Sequence, residues 1–270
     1  MPFGLHPVVA RRTSAGLDAE EVLFFGNSFT AINILGVPLV SVPRLTEGVA
    51  SSKGKILATA AVTKWGRGWD YHLAKPATDF ALRSRPWNWV VIQGYSLNAT
   101  HAAKDKAPDR FSKRGEEFHD RIAKFTLHAG VILYETWAYG ARHPIFKRGG
   151  DGRSSAEFSG PEEMHGEIKR NYAALKKILE KKDAKRPVRL APVGSAFARC
   201  GREHPEIDLY AGDFKHQSRD GSYLVACVFH GTIFQDSPRG AAPAKGQDPE
   251  RAAILQAVAE ETLRVSEAER

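Results

Sequence analysis

Short apolar runs alternate along this chain with longer segments in which apolar residues recur every three or four positions. The runs predict buried strands at residues 22–25, 56–62, 89–93, 131–135 and 188–192. Alternation of strands with helices favours a parallel sheet that is covered by helices on both faces. We therefore predict an α/β fold, a three-layer α/β/α sandwich whose parallel sheet has about five strands.

Helical periodicity and helix-start signals support this interpretation. Two segments carry single apolar helical faces: Phe118, Ile122 and Phe125 in one, and Ile168, Tyr172, Leu175 and Leu179 in the other. Ser218 can cap a helix that extends to residue 233. Asp248 followed by Pro249 predicts the start of a last helix that ends near residue 266.

Length and composition favour one domain. The chain has 270 residues and no internal Gly/Ser/Pro-rich linker, so we expect a single domain over residues 21–270 after an extension of residues 1–20. Residues 142–161 are rich in Gly, Ser, Arg and Lys and predict a long surface loop. Cys200 and Cys227 lack a C-x-x-C spacing, and we expect two free thiols.

Charge and hydropathy limit the partners that we expect. The net charge is +8, but the densest basic stretch, residues 176–189, falls at the end of a predicted helix, where cations stabilise the helix dipole. We therefore expect no nucleic-acid partner. No apolar run approaches the ~20 residues of a membrane span, and no apolar region of a secretory signal follows the first arginines, so we expect no membrane partner and a cytoplasmic location.

A serine and an acid–imidazole pair carry the chemistry. Ser28 lies in the turn that follows the first predicted strand, at the sheet edge where open α/β folds place their active sites. A serine hydroxyl needs an imidazole to take its proton, and Asp213 and His216 lie three residues apart on one predicted turn. We predict a Ser28, His216 and Asp213 catalytic site; the alternative for Ser28 alone is a helix cap.

These motifs resemble those of the SGNH (GDSL-like) hydrolases. The stretch from Phe25 to Thr30, FGNSFT, resembles the first block of that family, in a variant with Asn in place of the Asp of Gly-Asp-Ser. The stretch from Asp213 to His216, DFKH, resembles its last block, Asp-x-x-His. The resemblance implies a flavodoxin-like sheet and ester hydrolysis with Ser28 as nucleophile, His216 as base and Asp213 as orienting acid. It implies no cofactor and no metal.

The same resemblance implies an oxyanion hole with three donors. These are the N–H of Ser28, the N–H of a glycine after the second strand, and an Asn after the third strand. Gly66 and Gly68 both follow the second strand, and we choose Gly68; a simple glycine turn is the alternative. The family's Gly-x-Asn-Asp is missing there. Gln93 ends the predicted strand and is our choice for the third donor, with Asn98 as the alternative.

Other hypotheses for the nucleophile, the substrate-binding residues and the function stay open. Ser96 lies in Gly-Tyr-Ser-Leu-Asn, one residue short of the Gly-x-Ser-x-Gly elbow, and is a rival nucleophile. Trp137 and Trp69 are expected to bind substrate, a small molecule or a saccharide ester, although core packing is an equal alternative. A catalytically inactive glycan-binding protein that uses Trp65, Trp69 and Trp137 is the second hypothesis for function, and a nucleic-acid-associated protein is the third. The histidines lack the paired spacing of zinc ligands.

Overall fold

The computed structural model describes residues 19–34, 37–103, 109–147 and 156–269. Most of the predicted N-terminal extension and the middle of the predicted 142–161 loop lie outside these residues. The strands, in chain order, are β1 (Glu20–Gly26), β2 (Ala31–Ile34), β3 (Val37–Ser41), β4 (Leu57–Thr63), β5 (Trp89–Gln93), β6 (Gly130–Tyr134) and β7 (Val188–Ala191).

Five of these strands form one parallel sheet in the order β4-β1-β5-β6-β7. The central strands β5 and β6 are buried along their whole length, which explains their continuous apolar sequences. The order is that of flavodoxin-like sheets, in which the chain leaves β1 at the point where the strand order reverses. That point is where folds of this type place their binding crevice.

Helices cover both faces of the sheet. They are α1 (Val42–Ser52), α2 (Trp69–Leu73), α3 (Pro76–Arg83), α4 (Arg110–Phe125), α5 (Pro161–Lys182), α6 (Val193–Glu203), α7 (Arg219–Phe234) and α8 (Pro249–Ala268). The helices α2 to α5 pack in sequence on one face, and α1, α6, α7 and α8 contact one another on the other face. The predicted three-layer α/β/α fold is confirmed.

The predicted elements agree closely with the observed ones. All five predicted strands are present, each within two residues of its predicted ends. Ser218 caps α7 by accepting a hydrogen bond from the N–H of Gly221, and Asp248 caps α8 through the N–H of Arg251. Cys200 and Cys227 are buried free thiols.

One feature after β1 differs from the expectation for the Ser28 segment. Residues 27–30 form a turn, and the chain then continues into the antiparallel pair β2 and β3 before α1 begins. Ser28 therefore does not cap a helix, and the alternative structural role predicted for it is wrong.

Candidate active site

The structure brings Ser28, His216 and Asp213 together at the carboxyl edge of the sheet. Ser28 follows the end of β1, and its Oγ lies 2.9 Å from Nε2 of His216. Nδ1 of the same imidazole lies 2.5 Å from Oδ2 of Asp213. A hydroxyl, an imidazole and a carboxylate in this relay are the parts that a serine nucleophile requires.

The acid and the base are built into one turn. An antiparallel bridge between Tyr210 and Gln217 closes the turn, and the N–H groups of Lys215 and His216 both donate to Oδ1 of Asp213. Phe214, inside this turn, has a φ of 56°, a left-handed conformation that non-glycine residues seldom adopt. The carboxylate therefore holds the backbone of the turn with one oxygen and the imidazole with the other.

The charge state of Asp213 fixes the tautomer of His216. Partial burial raises the pKa of this carboxyl, but the hydrogen bonds from His216 and from the two backbone N–H groups outweigh that effect and bring the pKa down to about 2. An ionised carboxylate only accepts hydrogen bonds, so Nδ1 of His216 carries the proton. Nε2 then presents its lone pair to the hydroxyl of Ser28, as a general base must.

Two hydrogen bonds join Gln93 to Asn27, the residue before Ser28, one through the backbone N–H of Asn27 and one through its side-chain oxygen. The N–H of Asn27 donates to Oε1 of Gln93 (3.1 Å), and Nε2 of Gln93 donates to Oδ1 of Asn27 (2.8 Å). Oε1 of Gln93 also accepts from the hydroxyl of Thr30. A Cβ on Gly26 would lie 2.2 Å from Oγ1 of Thr30 and 2.6 Å from Oε1 of Gln93, so this close packing requires glycine there.

This pairing corrects the role predicted for Gln93. Its side chain is fully buried, and its two Nε2 protons are directed to Oδ1 of Asn27 and to the carbonyl of Gly94. No donor is left for an oxyanion. Gln93 instead holds Asn27, the residue that precedes Ser28, and it does not border the pocket that contains Ser28.

That pocket is small and mostly uncharged. Its volume is about 180 Å³, and its walls are Asn27, Ser28, Phe29, Trp65, Gly66, Tyr95, Ser96, Lys215 and His216. Ser96 borders the pocket but does not contact His216, whose Nε2 is bonded to Ser28. The rival assignment of Ser96 as nucleophile therefore lacks the base that it needs.

The loop after β4 places a different glycine at the pocket from the one predicted. Gly66, with a φ of 62°, borders the pocket, whereas Gly68 caps the start of α2 and packs against Tyr95 and Asn98. Asn98 is likewise absent from the pocket walls. Within the described residues, neither the N–H of Ser28 nor that of Gly66 donates a hydrogen bond to another group.

The histidine next to this loop is structural. His72 is buried in α2, and burial lowers its pKa to about 4 despite its hydrogen bond to a backbone carbonyl. Nε2 of the imidazole lies 2.9 Å from the carbonyl oxygen of Gly26, which can only accept, so Nε2 carries the proton. This contact fixes the end of β1 immediately before the Asn27–Ser28 turn.

Two of the tryptophans predicted to bind substrate are core residues. Trp137 is fully buried between Phe29 and Phe197, with ring centroids 4.2 and 4.4 Å away, and its Nε1 donates to the carbonyl of Lys215. Trp69 is 3% exposed and stacks on Phe111. Neither ring is accessible to a ligand, so both assignments are corrected.

Trp65 is the tryptophan that borders the pocket. It is 54% exposed and lies on the loop that follows β4. The three rings cannot be distinguished from the sequence alone, because all of them follow strands at the same edge of the sheet.

Several cations of the basic stretch form ion pairs or hydrogen bonds within the protein. Lys176 pairs with Glu180, and Lys182 pairs with Glu116 and Asp120. Arg186 donates to the carbonyls at the end of α4 and before β6.

Among the residues that the structure describes, no group of three acidic, His or Cys side chains could hold a metal ion. No helix in the same residues combines the length and the apolar character that a membrane crossing needs.

A buried carboxyl supports the same edge of the sheet at the end of β6. Glu135 follows β6 and is fully buried, and its Oε1 accepts from the N–H and the hydroxyl of Ser195 in the first turn of α6. Burial raises the pKa of this carboxyl to about 7, although both hydrogen bonds from Ser195 oppose the shift. The apolar run places Glu135 at the end of the predicted strand, and nothing in the sequence indicates this role.

Comparisons with known proteins give structural matches and no sequence matches. No family model matches the chain, and no curated protein matches it. A DUF4886 family protein from Bacteroides uniformis is similar in structure, with a TM-score of 0.69 and 16% identity over 92% of this chain and 96% of that one. A putative GDSL-like lipase from Parabacteroides merdae gives a TM-score of 0.56 and 15% identity, over 82% of this chain and 99% of that one.

An acetyl xylan esterase also matches, with a TM-score of 0.53 and 18% identity over 79% of this chain and 99% of its own length. At these identities the matches show the fold. The resemblance to SGNH hydrolases is thus confirmed at the level of the fold, while a place in a Gly-Asn-Ser branch stays a prediction.

Proposed function

We propose that the protein is a serine esterase that hydrolyses short-chain acyl esters through an acyl-enzyme. The observation that carries this proposal is the continuous relay from the hydroxyl of Ser28 through both nitrogens of His216 to the carboxylate of Asp213. The fold shared with a GDSL-like lipase and an acetyl xylan esterase supports it.

The residues define each step. The Oγ of Ser28 attacks the ester carbonyl carbon while Nε2 of His216 takes its proton, and Asp213 stabilises the imidazolium that forms. Collapse of the tetrahedral intermediate breaks the bond to the alcohol, which leaves with the proton from Nε2. A water then gives its proton to Nε2 and attacks the acyl carbon. The bond from that carbon to Oγ breaks as Nε2 returns the proton to Oγ, which releases the acid and restores Ser28.

The oxyanion is stabilised by backbone donors. The N–H groups of Ser28 and Gly66 are our proposed pair, because both residues border the pocket and neither N–H is otherwise hydrogen-bonded within the described residues. Preorganised donors of this kind contribute about 2.7–4 kcal/mol each to the transition state. The mechanism uses no metal and no cofactor.

The pocket favours a small acyl group. A volume of about 180 Å³ accommodates an acetyl or butyryl chain, and Trp65 at its wall offers an exposed face for a sugar or another ring on the alcohol side. The second hypothesis, an inactive glycan-binding protein, is weaker because Trp69 and Trp137 are buried.

Two serines of one pocket provide the test. Wild type should react with a fluorophosphonate and hydrolyse p-nitrophenyl acetate, and Ser28→Ala should abolish both, with a loss on the order of 10⁶-fold in turnover. Ser96→Ala is the matched control, because Ser96 borders the same pocket without contacting His216. Labelling that persists in Ser28→Ala, or a folded wild type that turns over no ester, would reject the proposal.

A further inference from the structure

Lys215 gives the pocket a charge that the proposed chemistry does not use. It precedes His216 in the catalytic turn and borders the pocket with Ser28. No carboxylate side chain is among the pocket walls, and no carboxylate lies within 4 Å of its ammonium group among the residues that the structure describes. The one hydrogen bond of that group in the described chain goes to the hydroxyl of Tyr95, at 3.1 Å.

Aromatic rings hold this ammonium group in place. Nζ lies 5.1 Å from the ring centroids of both Tyr95 and Tyr139, so the side chain is fixed without being neutralised. An ammonium group has three donors, and two of these have no acceptor in the described residues. A fixed, partly desolvated cation with unused donors is suited to bind an anion.

Two further cations are adjacent in sequence to residues of the pocket wall. Trp65 and Gly66 are flanked in sequence by Lys64 and Arg67, which are exposed and form no ion pair with the rest of the described chain. The acid nearest to Lys215 in sequence, Asp213, is engaged by His216 and two backbone N–H groups. A cleft lined by one sign of charge attracts ligands of the opposite sign.

We propose that the esterase site selects esters that carry an anionic group, a carboxylate, phosphate or sulfate, within reach of the Lys215 ammonium group. The inference rests on the proposed esterase function and names its substrate class. The competing explanation is that Lys215 only ties the catalytic turn to the Tyr95 segment.

Paired esters separate these explanations. On the acyl side, 4-nitrophenyl hemisuccinate is compared with 4-nitrophenyl butyrate, which has a methyl group where the first has a carboxylate. On the alcohol side, 3-carboxyphenyl acetate is compared with 3-methylphenyl acetate. The measured quantity is the ratio of kcat/KM for the anionic and the neutral ester, each corrected for its reactivity with hydroxide.

The wild-type ratio should exceed that of Lys215→Met by roughly tenfold to a hundredfold in at least one pair, the size expected for a charge-assisted hydrogen bond. Lys215→Arg should retain the preference. Lys75→Met is the matched control, because Lys75 also lies over a tyrosine, 5.2 Å from the ring centroid of Tyr71, but does not border the pocket. Its ratio should equal that of wild type.

Salt provides a test that needs no variant. Raising NaCl to about 1 M should lower the wild-type ratio severalfold, because it screens exposed charges. Equal ratios in wild type and Lys215→Met for both pairs, or a wild-type ratio that salt does not change, would overturn the inference while the esterase function stands. A wild type that hydrolyses none of the four esters would instead overturn the proposed function, and the inference with it.

Discussion

Replacing Gln93 with alanine should damage stability far more than it damages the chemistry. The substitution removes the acceptor of two buried donors, the N–H of Asn27 and the hydroxyl of Thr30, and a donor to Oδ1 of Asn27. A buried donor left unsatisfied costs about 1–3 kcal/mol, so the two together cost about 2–6 kcal/mol of the free energy of unfolding. We expect a loss of about 4 kcal/mol.

Urea unfolding of wild type and Gln93→Ala measures this loss, and p-nitrophenyl acetate turnover, normalised to fluorophosphonate-titrated sites, measures the chemistry. We expect turnover per folded site to fall by no more than about tenfold, since Gln93 acts only through the position of Asn27. Gln93→Glu is the isosteric control, because it keeps Oε1 and places an oxygen where Nε2 donates to Asn27 and Gly94. A Gln93→Ala protein of wild-type stability whose kcat falls 10²–10³-fold at constant KM would refute this reasoning and return the amide to the oxyanion hole.

Three further results are expected. Asp213→Asn should lower kcat by on the order of 10⁴-fold, measured at saturating p-nitrophenyl acetate, because an amide no longer fixes the tautomer of His216; a loss under tenfold would contradict its role. The fold raises the pKa of Glu135 from 4.5 to about 7, so this carboxyl binds its proton more tightly in the folded than in the unfolded chain. The free energy of unfolding should therefore fall by up to about 3 kcal/mol as the pH rises from about 4.5 to about 7. Urea unfolding of Glu135→Gln against wild type across that range isolates this contribution, and parallel pH profiles would disprove it. Trp137→Ala should cost about 3–5 kcal/mol in thermal or urea unfolding, and a variant as stable as wild type would show that the sandwiched ring is not part of the core.

The sheet could be predicted from the sequence because its central strands are buried on both faces. A run such as Trp89–Gln93 has apolar residues at nearly every position, which marks its length directly. The pair β2 and β3 could not be predicted in the same way. These strands have only four and five residues, pair only with each other, and lie in a mixed apolar segment without a turn signature.

The site likewise contains residues that the sequence reveals and residues whose role depends on packing. Ser28, Asp213 and His216 could be found because strand end, order and spacing are visible in the sequence, and the structure places them in one hydrogen-bonded relay. Their catalytic role stays a prediction. The function of Gln93 could not be predicted, since whether an amide proton is available depends on which acceptors surround it. Burial of Trp137 likewise depends on the packing of a partner more than fifty residues away, Phe197.

The hydrogen bonds of the Asn27 side chain have a consequence for how relatives of this protein diverge. Oδ1 of Asn27 accepts from Nε2 of Gln93, and Nδ2 of Asn27 donates to the backbone carbonyl of Arg67. An Asp at position 27 would still accept from Gln93 but would set a carboxylate oxygen against that carbonyl. Every residue at position 67 has the same backbone carbonyl, so no side-chain replacement there would relieve the repulsion. A lineage that passes between Asn and Asp before the serine should therefore also change the path of the loop that follows β4.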